Sequence, residues 1–421
     1  MNLHTLRWCT LIKLVALVIS LVSISWAGSN ERVLYSFTGG ADGGDPATPL
    51  TRDNQGNLYG TTVLGGAFNC GTVFELTPTG QGQWQESVLH SFNCFDEGKY
   101  PYGGVTLDAQ GNLYGTTGSG GQGFCDGDGC GVVFELSQSG GPWTDTVLYS
   151  FQDSPDGWGA GVAPVFDRAG NLYGTTPDGG ANGEGTIYEL SQTNGQWTER
   201  VIYNFIGEDD GAIGGLGGLL VDGFGNLYGV TEIDGTNGAG TVFKMTPGPG
   251  GTWNFTALYE FQGQPDAGSP YGGLIADAHG ILYGTTYYGG ANGAGSVYKV
   301  GPGPTFGPWR DAVLYSFQGG TDGGMPLSTL VFDAAGNLYG TTSAGGDPEC
   351  GCGVAFRLTP NDRGGWDESV LHTFGSSGDA TYPTYGLTPD GAGNYFGTGV
   401  LGGSANMGAV YELTPLTVAR R

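Results

Sequence analysis

The chain has 421 residues, with 40 Asp and Glu against 14 Lys and Arg, and a formal net charge of −26. A surface of that sign repels nucleic acid and anionic membranes and excludes both as partners. Glycine supplies 86 residues, so matches to G-x-G phosphate motifs arise by chance and make no case for a nucleotide site.

In chain order, residues 1–27 read as a signal peptide. Arg7 and Lys13 precede the apolar run LVALVISLVSIS at 14–25, and Ser25-Trp26-Ala27 offers a small-x-small cleavage site. The run is short for a membrane span, and Cys9 lies before it, so neither a span nor a lipid anchor is expected. The mature protein is expected to be exported, to the periplasm or the extracellular space.

From residue 31 to 415 one phrase recurs. GNLYGTT or a close variant begins at Gly56, Gly111, Gly170, Gly225, Gly280, Gly336 and Gly393, with starts 55 to 59 residues apart. Each unit reads as four short strands. The first ends at an Asp (PLTRD to Asp53, GVTLD to Asp108), the second is NLYGTT, and the third is GTVFEL at 71–76 and its copies. The fourth is VLYSF, usually after a Trp, as in Trp143 and then 147–151. Val, Leu, Tyr, Phe and Thr between Gly, Asn, Asp and Pro is strand-and-turn chemistry. Leu and Tyr alternate in NLYGTT, so both faces of that strand carry large apolar groups and both are expected to be buried.

Sheets stacked between neighbouring sheets meet that condition, and radial repetition also protects their edges. The predicted fold is therefore all-β: a seven-bladed β-propeller of four-stranded antiparallel blades. A VLYSF strand is surplus at the start (33–37), and a fourth strand is missing after 411–413. Pairing the two closes the ring with the N-terminal strand. Residues 416–421 remain as a short tail.

Six cysteines follow the signal segment, an even number that favours disulfides in an exported chain. Cys70, Cys130 and Cys352 share one slot before the third strand. The expected pairs are Cys70–Cys94 and Cys125–Cys130, with Cys350–Cys352 strained by its short spacing.

The 4→1 and 2→3 loops share one face, which is the expected binding face. The 4→1 loops carry Asp42, Asp96, Asp156, Asp210, Asp266, Asp322 and Asp379. These recur in every blade, so they read as turn formers that accept backbone N–H bonds rather than as a metal ring. The same holds for Asp53 and its copies in the D-x-x-G-N turn. Aromatics that break the repeat are better candidates: Tyr102, Trp158, Tyr271 and Tyr288 first, then Tyr100, Tyr287 and Tyr382, with Tyr385 beside them. Exposed rings of this kind stack on sugars or anchor a protein. Asp126 and Asp128, in GFCDGDGC, suggest part of a calcium loop but lack its remaining ligands; calcium is the one cofactor considered. His90 and His372 replace the Tyr of VLYSF and read as packing variants. The sequence carries no nucleophile elbow and no H-E-x-x-H motif.

The run GNLYGTT…GG…GTVFEL resembles the GloVer-type tandem repeat proteins, exported bacterial proteins of largely unknown function, over roughly 31–415. D-x-x-G-N-L-Y is also similar to NHL-type propeller repeats, and that resemblance implies a binding platform. The expected function is a secreted, monomeric, non-enzymatic binding module for a glycan or protein ligand. The alternative is a propeller enzyme of the polysaccharide lyase, hydrolase or lactonase type, with calcium at the channel mouth.

Overall fold

A computed structural model describes residues 29–415 apart from 139, 208–209, 213–216, 304–306 and 376–377. The expected signal peptide, 1–27, and the tail, 416–421, lie outside the described residues. The described chain forms seven four-stranded antiparallel blades. Blade 1 runs from its innermost strand outward as Thr51–Arg52, Leu58–Thr62, Thr72–Gly80 and Gln83–Ser91. Blades 2 to 6 repeat this order over 105–150, 165–204, 220–260, 275–316 and 331–373. In blade 5 an added strand, Ala267–Pro270, pairs with the extended second strand Leu282–Gly289.

Blade 7 is made from both ends of the described chain. Thr388–Pro389, Tyr395–Gly399 and Ala409–Pro415 supply three strands, and Ser29–Ser36 supplies the outer one. Ser29 faces Pro415 and Ser36 faces Ala409 in that antiparallel pair. The ring is closed by the N-terminal strand, as the surplus VLYSF strand predicts.

The repeated phrase assigns each residue one task. Asp53 accepts from the N–H groups of Gln55 (2.9 Å) and Asn57 (2.8 Å) and from the Asn57 amide (2.9 Å), fixing the 1→2 turn. Leu58 is fully buried and Tyr59 nearly so. In four blades the first Thr of GTT bonds to the next blade: Thr61 donates to Pro101 O (2.6 Å), Thr116 to Val162 O (3.0 Å), Thr285 to Ser328 O (2.9 Å) and Thr398 to Thr48 O (2.8 Å). The second bonds within its own blade, as in Thr62–Thr72 (2.8 Å) and Thr176–Thr186 (2.9 Å). The Gly leaves room for an aromatic ring of the third strand. That ring in turn meets the buried Phe of VLYSF from the preceding blade, edge-on or tilted. The Phe37–Phe74 centroids lie 5.0 Å apart, Phe92–Phe134 5.1 Å and Phe374–Tyr411 5.0 Å.

Each third–fourth strand pair shifts register at the same place, for example between Val73 and Phe74, where Leu89 is left unpaired. The bulge reverses the alternation of the outer strand. Trp84 and Glu86 therefore face the preceding blade, where Trp84 meets Phe396 (5.7 Å). His90 and Phe92 face the following one. One strand thus serves two interfaces.

Three disulfides form: Cys70–Cys94, Cys125–Cys130 and Cys350–Cys352, with Cα–Cα distances of 5.4, 5.1 and 5.2 Å. Among the described residues no helix is long and apolar enough to cross a membrane.

A test of this packing follows from Gly60. A Cβ placed there would lie 2.7 Å from Phe74 Cζ and 3.1 Å from Leu50 Cδ2. Gly60→Ala is expected to lower stability by about 1–3 kcal/mol through overpacking, read as a drop in the denaturation midpoint. An unchanged midpoint would show that the ring contact is soft.

Candidate functional site

Where the 4→1 loops enter the innermost strands, one backbone position recurs with a positive φ: Asp45 (57°), Tyr100 (59°), Ser269 (53°), Met325 (54°) and Tyr382 (55°). In each case a proline follows. The residue joins two blades through its backbone. Tyr100 N–H donates to Cys70 O of blade 1 (3.2 Å), and Tyr100 O accepts from Gly118 N of its own blade (3.0 Å). Tyr382 does the same with Cys352 O (3.0 Å) and Val400 N (3.3 Å). Tyr100 and Tyr382 therefore occupy a staple position whose backbone role is shared by all five residues.

The chain next turns into the channel. Inner strands approach closely there: a Cβ on Gly103 would sit 2.5 Å from the Val162–Ala163 backbone, and one on Gly272 2.5 Å from Ser328 O. Hydroxyl bonds tie them together, as from Thr106 to Pro164 O (2.7 Å) and from Thr388 to Leu50 O (2.6 Å). This leaves a cavity of about 220 Å³ lined by residues of all seven blades, so it lies on the ring axis. Among the described residues its wall carries three tyrosines, Tyr102, Tyr271 and Tyr385, and no carboxylate, imidazole or thiol. Tyr102 and Tyr271 lie two residues past the staple position, and Tyr385 three.

The three rings share one electrostatic environment. Burial raises the Tyr102 hydroxyl pKa, with Tyr100 and Asp45 adding to it. Tyr385 is raised by burial and then by Tyr271, Asp45 and Tyr102. Tyr271 is pushed up to about 12 by burial, with Glu232 and Tyr287 contributing. All three remain neutral hydrogen-bond donors at ordinary pH. Asp45 stands beside them with a buried oxygen, Oδ1, that meets no donor, and burial raises its carboxyl pKa.

The other predicted residues lie elsewhere. Trp158 is half-buried, packed on the cluster that contains Tyr114, Cys125, Phe151 and Ala160, and its backbone pairs with Asp178. Tyr287 and Tyr288 stand edge-to-face at 4.4 Å on blade 5, with Tyr288 half exposed. Lys99 lies 5.3 Å above the Tyr100 ring. Asp128 is ion-paired with Lys99 (2.9 Å), and Asp126 is exposed in the same loop. Tyr385, the third ring of the cavity, was legible as a departure from the repeat; its convergence with Tyr102 and Tyr271 was not.

The 4→1 acids take the structural role expected of them. Asp322 accepts from Gln318 N–H (2.9 Å) and from the Tyr315 hydroxyl (2.9 Å), and Asp266 from Gln262 N–H (3.0 Å) and the Tyr259 hydroxyl (2.9 Å). One assignment needs correcting. The acid always lies seven residues after the ring of VLYSF, and after His90 that position is Glu97 (3.4 Å), not Asp96. Asp96 is exposed and accepts from the Asn93 amide (2.8 Å).

A second set of carboxylates was missed. Glu31, Glu86, Asp145, Glu199, Asp311 and Glu368 lie opposite the last apolar residue of the third strand in six blades, with Phe255 in the remaining one. Each faces the ring and acid of the preceding blade. The signal was present in the sequence: five of the six acids stand two residues after a Trp. Burial and the neighbouring loop Asp push Glu86, Glu199 and Glu368 up to about 7.

Seven four-stranded blades in a ring, around an axial cavity that every blade helps to line, define a seven-bladed β-propeller. The repeat pattern of the Gloeobacter/Verrucomicrobia repeat matches residues 20–129, 123–319 and 216–420, and the chain belongs to that family. No curated protein matches it. Two solved structures are similar in outline. One is a protein of unknown function from Dyadobacter fermentans DSM 18053, with 12% identity, a TM-score of 0.46, and coverage of 92% of this chain and 100% of that one. The other is a Thermus thermophilus protein provisionally assigned as an oxidoreductase (glucose dehydrogenase), with 17% identity, a TM-score of 0.43, and coverage of 73% and 95%. Neither likeness is close enough to bear on function.

The interface acids predict a pH dependence. A carboxyl whose pKa is higher in the folded than in the unfolded chain binds more protons when folded, so its contribution is present at acid pH and lost as pH rises. For Glu86, Glu199 and Glu368 the window runs from the ordinary 4.5 to about 7. The melting temperature is expected to fall as pH rises through that window, and Glu368→Gln should flatten the slope. A melting temperature that rises over this range would count against protonated interface acids.

Proposed function

We propose that this is an exported, monomeric, non-enzymatic binding propeller that takes the end of a glycan chain at its channel mouth. The observation that carries the reading is the convergence of Tyr102, Tyr271 and Tyr385 from three blades on one axial cavity. Neutral phenols offer a π-face for a sugar ring and a hydroxyl for its polar edge. The unpartnered Asp45 oxygen beside them adds an acceptor for a sugar hydroxyl. At about 220 Å³ the cavity is smaller than the ~300–1,000 Å³ of ordinary small-molecule sites, which suits one ring or a chain end. A wall of tyrosines favours recognition over acid–base chemistry, which needs a proton carrier within hydrogen-bond reach. Three disulfides support an oxidising, exported setting.

Glycan-array screening of the purified protein, with and without calcium, identifies the ligand class. Replacing Tyr102, Tyr271 or Tyr385 with Ala should then weaken binding by roughly 1–3 kcal/mol each while leaving the melting temperature within a few degrees. Full binding by all three variants would move the site off the channel. Binding only to proteins on a parallel array would replace the glycan by a protein ligand.

A further inference from the structure

Two of the seven blade interfaces carry His where the other five carry Tyr. At one of them Glu31, His372 and Asp379 place a carboxylate oxygen, an imidazole nitrogen and a second carboxylate oxygen within 4.8 Å of one another. They come from three different segments. Glu31 is on the N-terminal strand that closes the ring, His372 on the outer strand of blade 6, and Asp379 on the loop that leaves it.

The polar inventory around this cluster does not balance within the protein. Asp379 is 6% exposed. Its Oδ2 meets His372 Nε2 (3.1 Å) and Gly375 N–H (3.2 Å), but its Oδ1 meets no donor. Glu31 Oε1 is buried without a partner as well, as are the matching oxygens of Glu86, Asp145, Glu199 and Glu368, so the Asp379 oxygen is what sets this interface apart. The Tyr411 hydroxyl, fully buried and within electrostatic reach of both acids, is a third oxygen with none. At the Tyr interfaces the ring hydroxyl donates a hydrogen bond to the loop acid, as Tyr315 does to Asp322 (2.9 Å). An imidazole can instead offer a lone pair.

We propose that Glu31, His372 and Asp379 bind a divalent transition-metal ion of the zinc class, which clamps the closing strand to blade 6. One nitrogen and two carboxylate oxygens form a donor set that zinc accepts and that calcium and magnesium, which prefer oxygen alone, do not favour. Ligands held tetrahedrally about 2.0–2.2 Å from zinc stand roughly 3.3–3.6 Å apart, so the site forms with small side-chain movements. The ion takes the Nε2 lone pair, leaving the imidazole proton on Nδ1. Glu31 lies in the strand that holds the ring shut, so the ion adds a tie between that strand and the neighbouring blade.

The test uses the full chain carrying His90→Tyr, stripped of metal with chelator and dialysed. That substitution restores the residue found in five other blades and removes the other comparable cluster among the described residues, His90, Glu97 and Asp145. Calorimetric titration with zinc chloride should give one site per chain, and zinc should raise the melting temperature by several degrees. Adding His372→Tyr, again a residue the repeat already uses, or Glu31→Gln should weaken zinc binding at least tenfold and abolish the rise. Metal-free melts of both variants verify that they fold. Three results would overturn the proposal: no saturable zinc binding up to millimolar concentration, undiminished binding in both variants, or binding with no shift in melting. The first would leave a proton shared between Glu31 and Asp379 as the account of the paired acids.

Discussion

The contact on which the ring depends is an aromatic pair seated over a glycine. The Phe of each VLYSF strand meets the third-strand ring of the following blade at all seven interfaces, with centroids 4.9 to 5.7 Å apart. That third-strand ring lies across the second-strand Gly of its own blade, so closely that a methyl group at Gly174, Gly284 or Gly397 would collide with it. Such a pair is worth about 0.5–1.5 kcal/mol beyond the area it buries. Its larger effect is architectural. Neither ring is covered within a single blade, so no blade completes its core alone. In four blades the first Thr of GTT reinforces the same interface with a hydrogen bond to the next blade. Repeating the phrase seven times is the consequence of requiring seven such contacts.

This constraint separates the positions that can vary from those that cannot. NLYGTT and VLYSF are committed residue by residue to turn, core, ring seat or interface. The position two residues past the staple follows no repeat and reads Ala47, Tyr102, Gly161, Tyr271, Leu327 and Thr384 in six blades. Specificity can be written there without disturbing a blade. The strand pattern, the closure and the disulfide pairs were legible in the sequence because each rests on local periodicity or on a count of strands. The meeting of Tyr102, Tyr271 and Tyr385 was not, since these residues come together only when the ring closes. The outer acids escaped for a different reason. Glu86, Val88 and His90 share one parity, and simple alternation puts them on one face; the bulge at Leu89 sends Glu86 and His90 to opposite interfaces.

The interfaces are also where the acidic composition meets the fold. Buried carboxylates are costly unless neutralised or hydrogen-bonded. Here six outer acids each face a loop acid across an aromatic or imidazole ring, and among the described residues few basic side chains reach them. The repeated loop Asp is held by backbone N–H groups and, at the Tyr interfaces, by a Tyr hydroxyl. For the outer Glu86, Glu199 and Glu368, burial outweighs any help from the neighbouring Tyr hydroxyl and drives the carboxyl toward the neutral form.

The least secure part of a closed ring is its seam, where one blade is assembled from two distant segments. The departures from the repeat gather around it. Of the seven interfaces, the two with His join blades 1 and 2 and blades 6 and 7, on either side of the seam blade and its neighbour. The disulfides fall in blades 1, 2 and 6, and blades 3, 4 and 5 hold no cysteine. Three of those cysteines, Cys70, Cys130 and Cys352, present the carbonyls that receive the N–H of Tyr100, Gly159 and Tyr382 from the next blade, at 3.2, 3.1 and 3.0 Å. At the matching places in blades 4 and 5 the acceptors are Ala239 and Ala294, which have no covalent support. A disulfide that pins the acceptor end of an inter-blade bond resists opening of that interface. The distribution of staples thus follows from closure by a strand rather than by a bond. The disulfides lie within two blades of the seam, while the seam blade itself has no cysteine and is held by the pairing of Ser29–Ser36 with Ala409–Pro415.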